Sequence, residues 1–468
     1  MVNTGAVIEV RDKASGEIFA EAVQATLADV DEAVAAAKRA QPAWAERPYT
    51  DRTAVLRAAA AALADRANQF RELIIRETGS IGGKADYEIG AATSELIEAA
   101  GLAARATGEV LPSSHAGRFS LSERIPVGLV GAITPWNFPL VLGMRVIAPA
   151  LALGNAVLLK PSPETPVSGG LAIAELFEAA GLPAGLFSVL PGDVEVGHRL
   201  VTHPDISMIH FTGSTKVGRQ LAQTAGGLLK KVSLELGGNN ALIVLDDADL
   251  DQAAMIGAWS SFHYQGQTCI TAGRHIVQRP VAEEYARRLA ARADVISVGN
   301  TFTEDVGLGP MINQTQLDRA TALLADAVKD GATVLAGGTT DGPFFRPTVV
   351  TNVNPSSRLW TEEIFAPIAP ILVVQDDQAA VDAANDTDYG LVNSVLTGDP
   401  YRGIRLARRL RAGMVHVNDA TPQDEAIAPF GGVGQSGLGG RSGGDANLEE
   451  FTERRWLTVT DGPAHYPY

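Results

Sequence analysis

Residues 206–218 read ISMIHFTGSTKVG. An apolar run ends at Phe211, and Thr212, Gly213, Ser214 and Thr215 then open a helical segment. A helix start presents free N–H groups and the positive end of a dipole, which suits a pyrophosphate. A Ser/Thr N-cap on an ordinary helix explains the same residues. The flanks repeat the pattern. GLVGAIT, AVLLK (156–160), LFSVL (186–190), ISMIHF (206–211) and VSLEL (232–236) are short apolar runs with helical segments between them. That alternation predicts a parallel sheet with crossover helices. A second series follows residue 269: RHIVQ, ATVLA, RPTVVTNV, APILVV, VNSVLTG and GMVHVN. The expected fold is therefore α/β, with two units joined near residues 236–245. Upstream, 29–46, 51–79 and 86–106 carry apolar residues at helical spacing, so the first hundred residues are expected to be mainly helical, with Gly79 as a C-cap. RRWLTVT (454–460) reads as a strand with no obvious place in either sheet.

The chain has 468 residues, 46% of them hydrophobic, enough for two or three domains with large cores. Its 38 basic and 54 acidic residues leave a formal charge of −16, which argues against a nucleic-acid partner. A single cysteine cannot form an internal disulfide, as expected for a reducing cytoplasm. The first residues lack the pattern of a secretory leader, and no uncharged apolar stretch reaches membrane-spanning length. No membrane association is expected.

Four stretches carry candidate chemistry. GVGQSG (432–437) matches G-x-G-x-x-G, but IAPF and Gly431 precede it, more glycines follow and the sequence is nearly at its end, so it reads as a loop rather than as a βαβ dinucleotide fingerprint. TPWNFPL (134–140) is a rigid loop after a strand, where Asn137 either offers an amide N–H to an oxyanion or makes an Asx turn. VSLELGG (232–238) buries Glu235 at a strand end, where its carboxylate is either paired or raised toward general-base range. YQGQTCI (264–270) holds the cysteine, Cys269, either inert packing or a nucleophile. Gly266 is expected to let backbone approach the substrate closely.

Together, TPWNFP, GNAVLLKPSPETP, FTGSTKVG, LELGG, QGQTC, EEIFAP and PFGGVGQSG resemble the aldehyde dehydrogenase superfamily in order and spacing, over residues 125 to 440. The resemblance implies a Rossmann-like NAD(P)-binding domain (1–116 and 127–236), an α/β catalytic domain (237–440) and a small β oligomerisation extension (117–126 and 441–468). It implies Cys269 as nucleophile, Glu235 as general base, and Asn137 with the Cys269 backbone N–H as oxyanion hole. Trp136, Ser214 and Lys160 match positions near the cofactor phosphates and adenosine ribose, and Glu363 and Phe365 those at the nicotinamide end. Thr134, Pro135, Ser162, Pro163, Gly213, Gly218, Leu236 and Gly237 fall along the same cofactor. No metal is implied. The implied partners are a small-molecule aldehyde and further copies of the chain, as a homodimer or homotetramer.

Two departures stand out. Pro163 occupies the position where the family often has a ribose-binding Glu, with Glu164 next, which leaves NADP open beside NAD. Gly434 replaces the usual lysine after PFGG. MRVIAPALALGNAV (144–157) and HVNDATPQDEAIAPFGG (416–432) resemble the branch that oxidises benzaldehyde, vanillin and salicylaldehyde. Phe138, Leu142, Tyr264, Thr268 and Ile270 are expected to wall the substrate pocket, with Asn418 beside them. Arg145 either meets a ring substituent or pairs with an acidic neighbour. A CoA-acylating enzyme would not need Glu235, and a catalytically silent homologue should have lost Cys269, Glu235 or Asn137.

Overall fold

A computed structural model describes residues 6–105 and 108–462, together with Tyr466 and Tyr468. The chain opens not with a helix but with a hairpin of β1 (Val7–Arg11) and β2 (Ile18–Val23). Its turn is local chemistry. Asp12 Oδ1 accepts the N–H groups of Ala14 and Ser15 at 3.0 Å each, and Gly16 takes φ +76°. Helix α1 (Leu27–Ala45) then starts at a capping box between Thr26 and Asp29. The expected helix over 51–79 is two helices, α2 (Tyr49–Asp65) and α3 (Ala67–Thr78), because Arg66 leaves helical dihedrals at φ −102°, ψ 14°. Leu56 and Leu63 on one and Phe70 and Ile74 on the other are fully buried, so each helix lays its own apolar face on the core. Gly79 ends α3 in the left-handed region at φ 68°, as its position suggested. Helix α4 (Gly82–Arg105) begins before the expected residue 86; the expected end at 106 lies outside the described residues.

Among the described residues the strands form two large sheets and a small one, besides two short hairpins. The small sheet takes β3 (Glu109–Leu111) and β4 (Arg118–Pro126). The first large sheet contains β5 (Leu129–Ile133), β6 (Ala156–Lys160), β7 (Phe187–Val189), β8 (Met208–Thr212) and β9 (Lys231–Glu235), all parallel. Helices α5 (Pro139–Ala152), α6 (Ala172–Ala179), α7 (Val194–Thr202) and α8 (Thr215–Gly227) fall between those strands. The second large sheet contains β10 (Asn240–Val244), β11 (Ala272–Gln278), β12 (Thr333–Ala336) and, past the hairpin β13 (Thr340–Asp341) and β14 (Phe344–Phe345), β15 (Thr348–Thr351), β16 (Ile368–Val374), β17 (Val392–Leu396) and β18 (Met414–Val417). Helix α9 (Leu250–Phe262) runs from β10 toward the cysteine.

Two late strands return to earlier parts of the chain. β19 (Gly437–Leu438), which starts at the last residue of GVGQSG, pairs antiparallel with β9 and sets Gly437 opposite Glu235. β20 (Thr452–Thr460) does have a partner in its own chain: it pairs with β4 along its whole length, from Thr452 opposite Pro126 to Thr460 opposite Arg118. Its side chains Trp456, Leu457 and Val459 remain exposed. No described helix is long and apolar enough to cross a membrane.

Register decides where chemistry can gather. Ile133 is level with Lys160 and Phe211, and Thr212 with Glu235, so the carboxyl ends of β5, β6, β8 and β9 form one edge. Ligands collect at such an edge because the loops that leave it carry unpaired backbone groups. Only residues 236–239 separate β9 from β10, and Ala272, three residues after Cys269, is paired with Asn240. The carboxyl edge of the first sheet therefore faces the amino edge of the second.

Candidate active site

Two cavities meet at that junction. The first, of about 530 Å³, runs past Pro135, Trp136, Thr212 to Lys216, Glu235 to Gly237, Arg319, Glu363 and Phe365. The second, of about 200 Å³, is walled by Phe138, Val141, Leu142, Trp259, Ile270 and Phe430, with Tyr87, His263 and Asp424 among its polar groups. Asn137, Leu142, Arg145, Cys269 and Phe430 line both. The thiol thus stands where the two spaces join.

The residues before Cys269 hold an unusual backbone. Tyr264, Gln265 and Gly266 have φ of 50°, 54° and 65°. Such a run persists only where surrounding contacts impose it. Both glutamines supply those contacts. Gln265 Nε2 donates to Gly79 O at 3.2 Å and Pro310 O at 2.8 Å, and Gln267 Oε1 accepts Ile312 N–H at 3.0 Å. Thr271 Oγ1 donates to Gly266 O at 3.0 Å. The need for glycine at 266 differs from expectation. A Cβ there would lie 2.3 Å from Ala366 O, so the close approach is to the protein's own backbone.

Burial dominates the electrostatics. It pushes the Cys269 thiol up to about 12; Glu363 and Glu235 add to the shift and Arg145 opposes it. It raises Glu235 to about 8 against the pull of Arg145 and Arg441. Glu235 is 6% exposed and its Oε2 has no protein partner. An unpartnered carboxylate oxygen facing a cavity is available to a ligand or water. Asn137 is 3% exposed; its Nδ2 donates to Gln267 O at 3.1 Å, which leaves the second amide hydrogen free for another acceptor. Arg145 takes the acidic pairing: Nε lies 3.4 Å from Glu95 Oε1, Nη2 bonds Asp424, and the guanidinium sits 4.3 Å above the Phe430 ring.

The larger cavity suits a dinucleotide. Gly213 and Gly237 keep its floor low: a Cβ would come within 2.5 Å of the Phe211 ring and 2.3 Å of the Glu363 carboxylate, respectively. Ser214 caps α8 and points the helix start at the space. Trp136 meets Phe365 edge-on at 5.5 Å, and Glu363 accepts Gly238 N–H at 3.2 Å. Lys160 is buried behind the edge, donates to Pro161 O at 3.1 Å, and is lowered to about 8 by burial against Asp193. Glu164 is committed elsewhere, to Lys13 at 2.6 Å and Asn313 at 2.8 Å, so it does not replace the acid missing at Pro163.

Several expected residues stand back from both cavities. Thr134, Ser162 and Pro163 lie in the loops that leave β5 and β6. Gly218 is a packing position, since a Cβ would meet Leu236 at 2.4 Å. Tyr264 does not wall the pocket; it is 1% exposed and packs behind Phe138, ring centres 5.6 Å apart. Asn418 lies elsewhere as well. It follows β18, its Oδ1 accepts Thr397 N–H at 2.8 Å, and it borders a separate hollow with Asp249 and Gln252. Conversely, Tyr87, Trp259 and His263 reach the smaller cavity from helices or loops without any motif to mark them, and Asp424 reaches it from the 416–432 stretch without having been singled out there.

A sequence model described as the aldehyde dehydrogenase family matches residues 2–457. The chain is 48% identical to a benzaldehyde dehydrogenase [NAD(+)] of Pseudomonas putida, over 99% of this chain and 95% of that one. It is also 48% identical to a vanillin dehydrogenase of Amycolatopsis sp., with the same coverage. The crystal structure of a betaine aldehyde dehydrogenase from Staphylococcus aureus in complex with NAD+ superposes with a TM-score of 0.95 at 30% identity, covering 98% of this chain and 92% of that one.

Because the thiol is desolvated, its ionised fraction stays small at neutral pH. Iodoacetamide alkylation of Cys269 in the cofactor-free protein should keep accelerating with pH and show no plateau below about pH 10. A plateau near pH 7, followed by mass spectrometry, would contradict that reading of the thiol.

Proposed function

The chain belongs to the aldehyde dehydrogenase family, and from that premise we propose that it oxidises aromatic aldehydes of the benzaldehyde and vanillin type to carboxylic acids with NAD. The observation that carries the reading is the position of Cys269 at the junction of a dinucleotide-sized cavity and a smaller, mainly apolar one. Phe138, Leu142, Trp259, Ile270 and Phe430 offer aromatic and aliphatic walls to a planar ring. Arg145 is already engaged by two carboxylates, so the pocket offers no free cation to an anionic ring substituent. NADP remains a second acceptor, because Pro163 and the engaged Glu164 leave no carboxylate to repel a 2′-phosphate.

In this mechanism Cys269 Sγ adds to the aldehyde carbon and the substrate oxygen becomes an oxyanion. Asn137 Nδ2, with its uncommitted hydrogen, and the Cys269 backbone N–H stabilise that charge. The thiol proton passes to a buried acceptor lining the same cavity, Glu235, which gives it up to solvent before the hydrolytic step. The bound nicotinamide dinucleotide supplies the hydride acceptor. A thioester then remains on Cys269. Glu235, as carboxylate, takes a proton from water, the resulting hydroxide attacks the acyl carbon, and the acid leaves as the thiolate is restored.

The direct test is cofactor reduction with NAD and NADP separately on an aldehyde panel. Benzaldehyde and vanillin should show higher kcat/KM than acetaldehyde, and 4-carboxybenzaldehyde should be poorer than 4-hydroxybenzaldehyde. Acetaldehyde as the best substrate would overturn the aromatic assignment.

Glu235 must be ionised to act as base, and its folded pKa lies near 8. Turnover limited by thioester hydrolysis should therefore rise with pH and level off above about pH 8. Glu235→Gln should lose that rise and about 10²–10⁴-fold of turnover. A burst with acyl mass on the Cys269 peptide should remain where hydride transfer survives. Wild-type turnover in Glu235→Gln would remove this residue from the mechanism.

We also propose a homodimer or a dimer of dimers. The support is β20, which exposes Trp456, Leu457 and Val459 and has β4 on one side only. Multi-angle light scattering should give twice or four times the chain mass; a stable monomer at micromolar concentration would count against it.

A further inference from the structure

Lys84 and Glu88 lie one turn apart on α4, form an ion pair, and are both fully buried. A buried pair is a weak source of stability, because desolvation offsets the attraction. What the pair touches is more informative. Glu88 Oε1 accepts the N–H groups of Leu140 at 2.7 Å and Val141 at 3.2 Å. Those are free donors at the start of α5, three and four residues after Asn137. Lys84 Nζ lies 4.4 Å from the Phe138 ring centre and 4.6 Å from that of Tyr264. Phe138 follows Asn137 directly, and Tyr264 begins the positive-φ run that leads to Cys269. One buried ammonium thus faces a ring from each of the two loops that meet at the thiol.

We propose that Lys84 and Glu88 are positioning residues for the reaction assigned above: together they hold the Asn137 loop and the Cys269 loop in register, so that the oxyanion donor and the thiol converge. The proposal rests on that functional reading but concerns residues that touch neither cavity. Glu88 fixes the direction of α5 and hence of Asn137. Lys84 bridges the two rings and keeps the 264–266 turn from relaxing. Asn137 Nδ2 bonds Gln267 O, so any drift between the loops moves the amide away from where the substrate oxygen would sit. An error of about 1 Å in such a placement can cost about 10²-fold in rate.

The discriminating variant is Lys84→Met/Glu88→Gln. Met fills the lysine stem, and the Gln amide oxygen can still accept the α5 N–H groups, so no unpaired charge is left in the core. The double variant should keep its unfolding temperature within about 5 °C of the parent and bind NAD with unchanged affinity. Its burst rate of cofactor reduction should fall about 10- to 100-fold, with little change in KM. Cys269, the chain's one cysteine, should be alkylated several-fold faster by iodoacetamide, because a released loop admits water. Lys84→Arg, which retains the charge over both rings, should recover most of the burst rate. A purely structural pair would lower the unfolding temperature and leave burst rate and alkylation unchanged; that result overturns the proposal. If the double variant fails to fold, Lys84→Met alone carries the same comparison, since Glu88 Oε1 keeps its bond from Leu140 N–H. A parent enzyme that reduces neither NAD nor NADP with any aldehyde of the panel refutes the aldehyde reading. The alkylation comparison then still decides whether the pair holds the loop.

Discussion

The hydrogen bonds of Asn240 hold the thiol's loop to the second sheet, at the point where the chain arrives from the first. This side chain is 2% exposed and stands at the first residue of β10. Its Nδ2 donates to Cys269 O at 2.8 Å and Thr271 O at 2.7 Å, and its Oδ1 accepts Val392 N–H at 3.2 Å. One amide therefore ties the cysteine loop to β10 and to β17. It also dictates Gly238, where a Cβ would come within 2.4 Å of Asn240 Oδ1 and 2.8 Å of Cys269 O. Gly238 N–H in turn meets Glu363. The crossing from one sheet to the other is lined by glycine because this network leaves no room for a side chain at Gly237 or Gly238.

Around that network the site collects ionisable groups in a poorly hydrated space. Cys269, Glu235, Glu363 and Glu95 are all held toward their neutral forms by burial. Arg145 is the counterweight, opposing the rise of Cys269, Glu235 and Glu95 alike. A guanidinium suits this role because it stays charged where an ammonium would lose its proton. Its own position is fixed by Glu95 from α4, Asp424 from the loop before β19, and the face of Phe430. Substrate wall, charge balance and loop anchoring thus converge on one residue of α5.

The parallel sheets were legible because buried strands leave short apolar runs, and β5 through β9 follow them closely. The seven motifs carried the family and the candidate roles of Cys269, Glu235 and Asn137. The N-terminal hairpin escaped notice because its strands are half exposed and lack a strong alternation. The break at Arg66 left no mark, since no proline or glycine punctuates it. The partner of β20 was invisible because it lies more than 300 residues away.

The sequence by itself determined the buried strands of the parallel sheets, the main helices, the residue types at many of their ends, and the family they belong to. Periodicity and capping are local, and ordered motifs are linear. The tertiary structure alone decided who faces whom. Tyr264 precedes Cys269 by only five residues, yet positive φ turns Tyr264 behind Phe138 while Cys269 lines both cavities. Asn418, close in sequence to Asp424, is drawn off by Thr397 while Asp424 reaches Arg145. Lys84 acquires meaning only from two rings 54 and 180 residues away. Side-chain direction depends on backbone turns and distant partners, and neither is written at the position it governs.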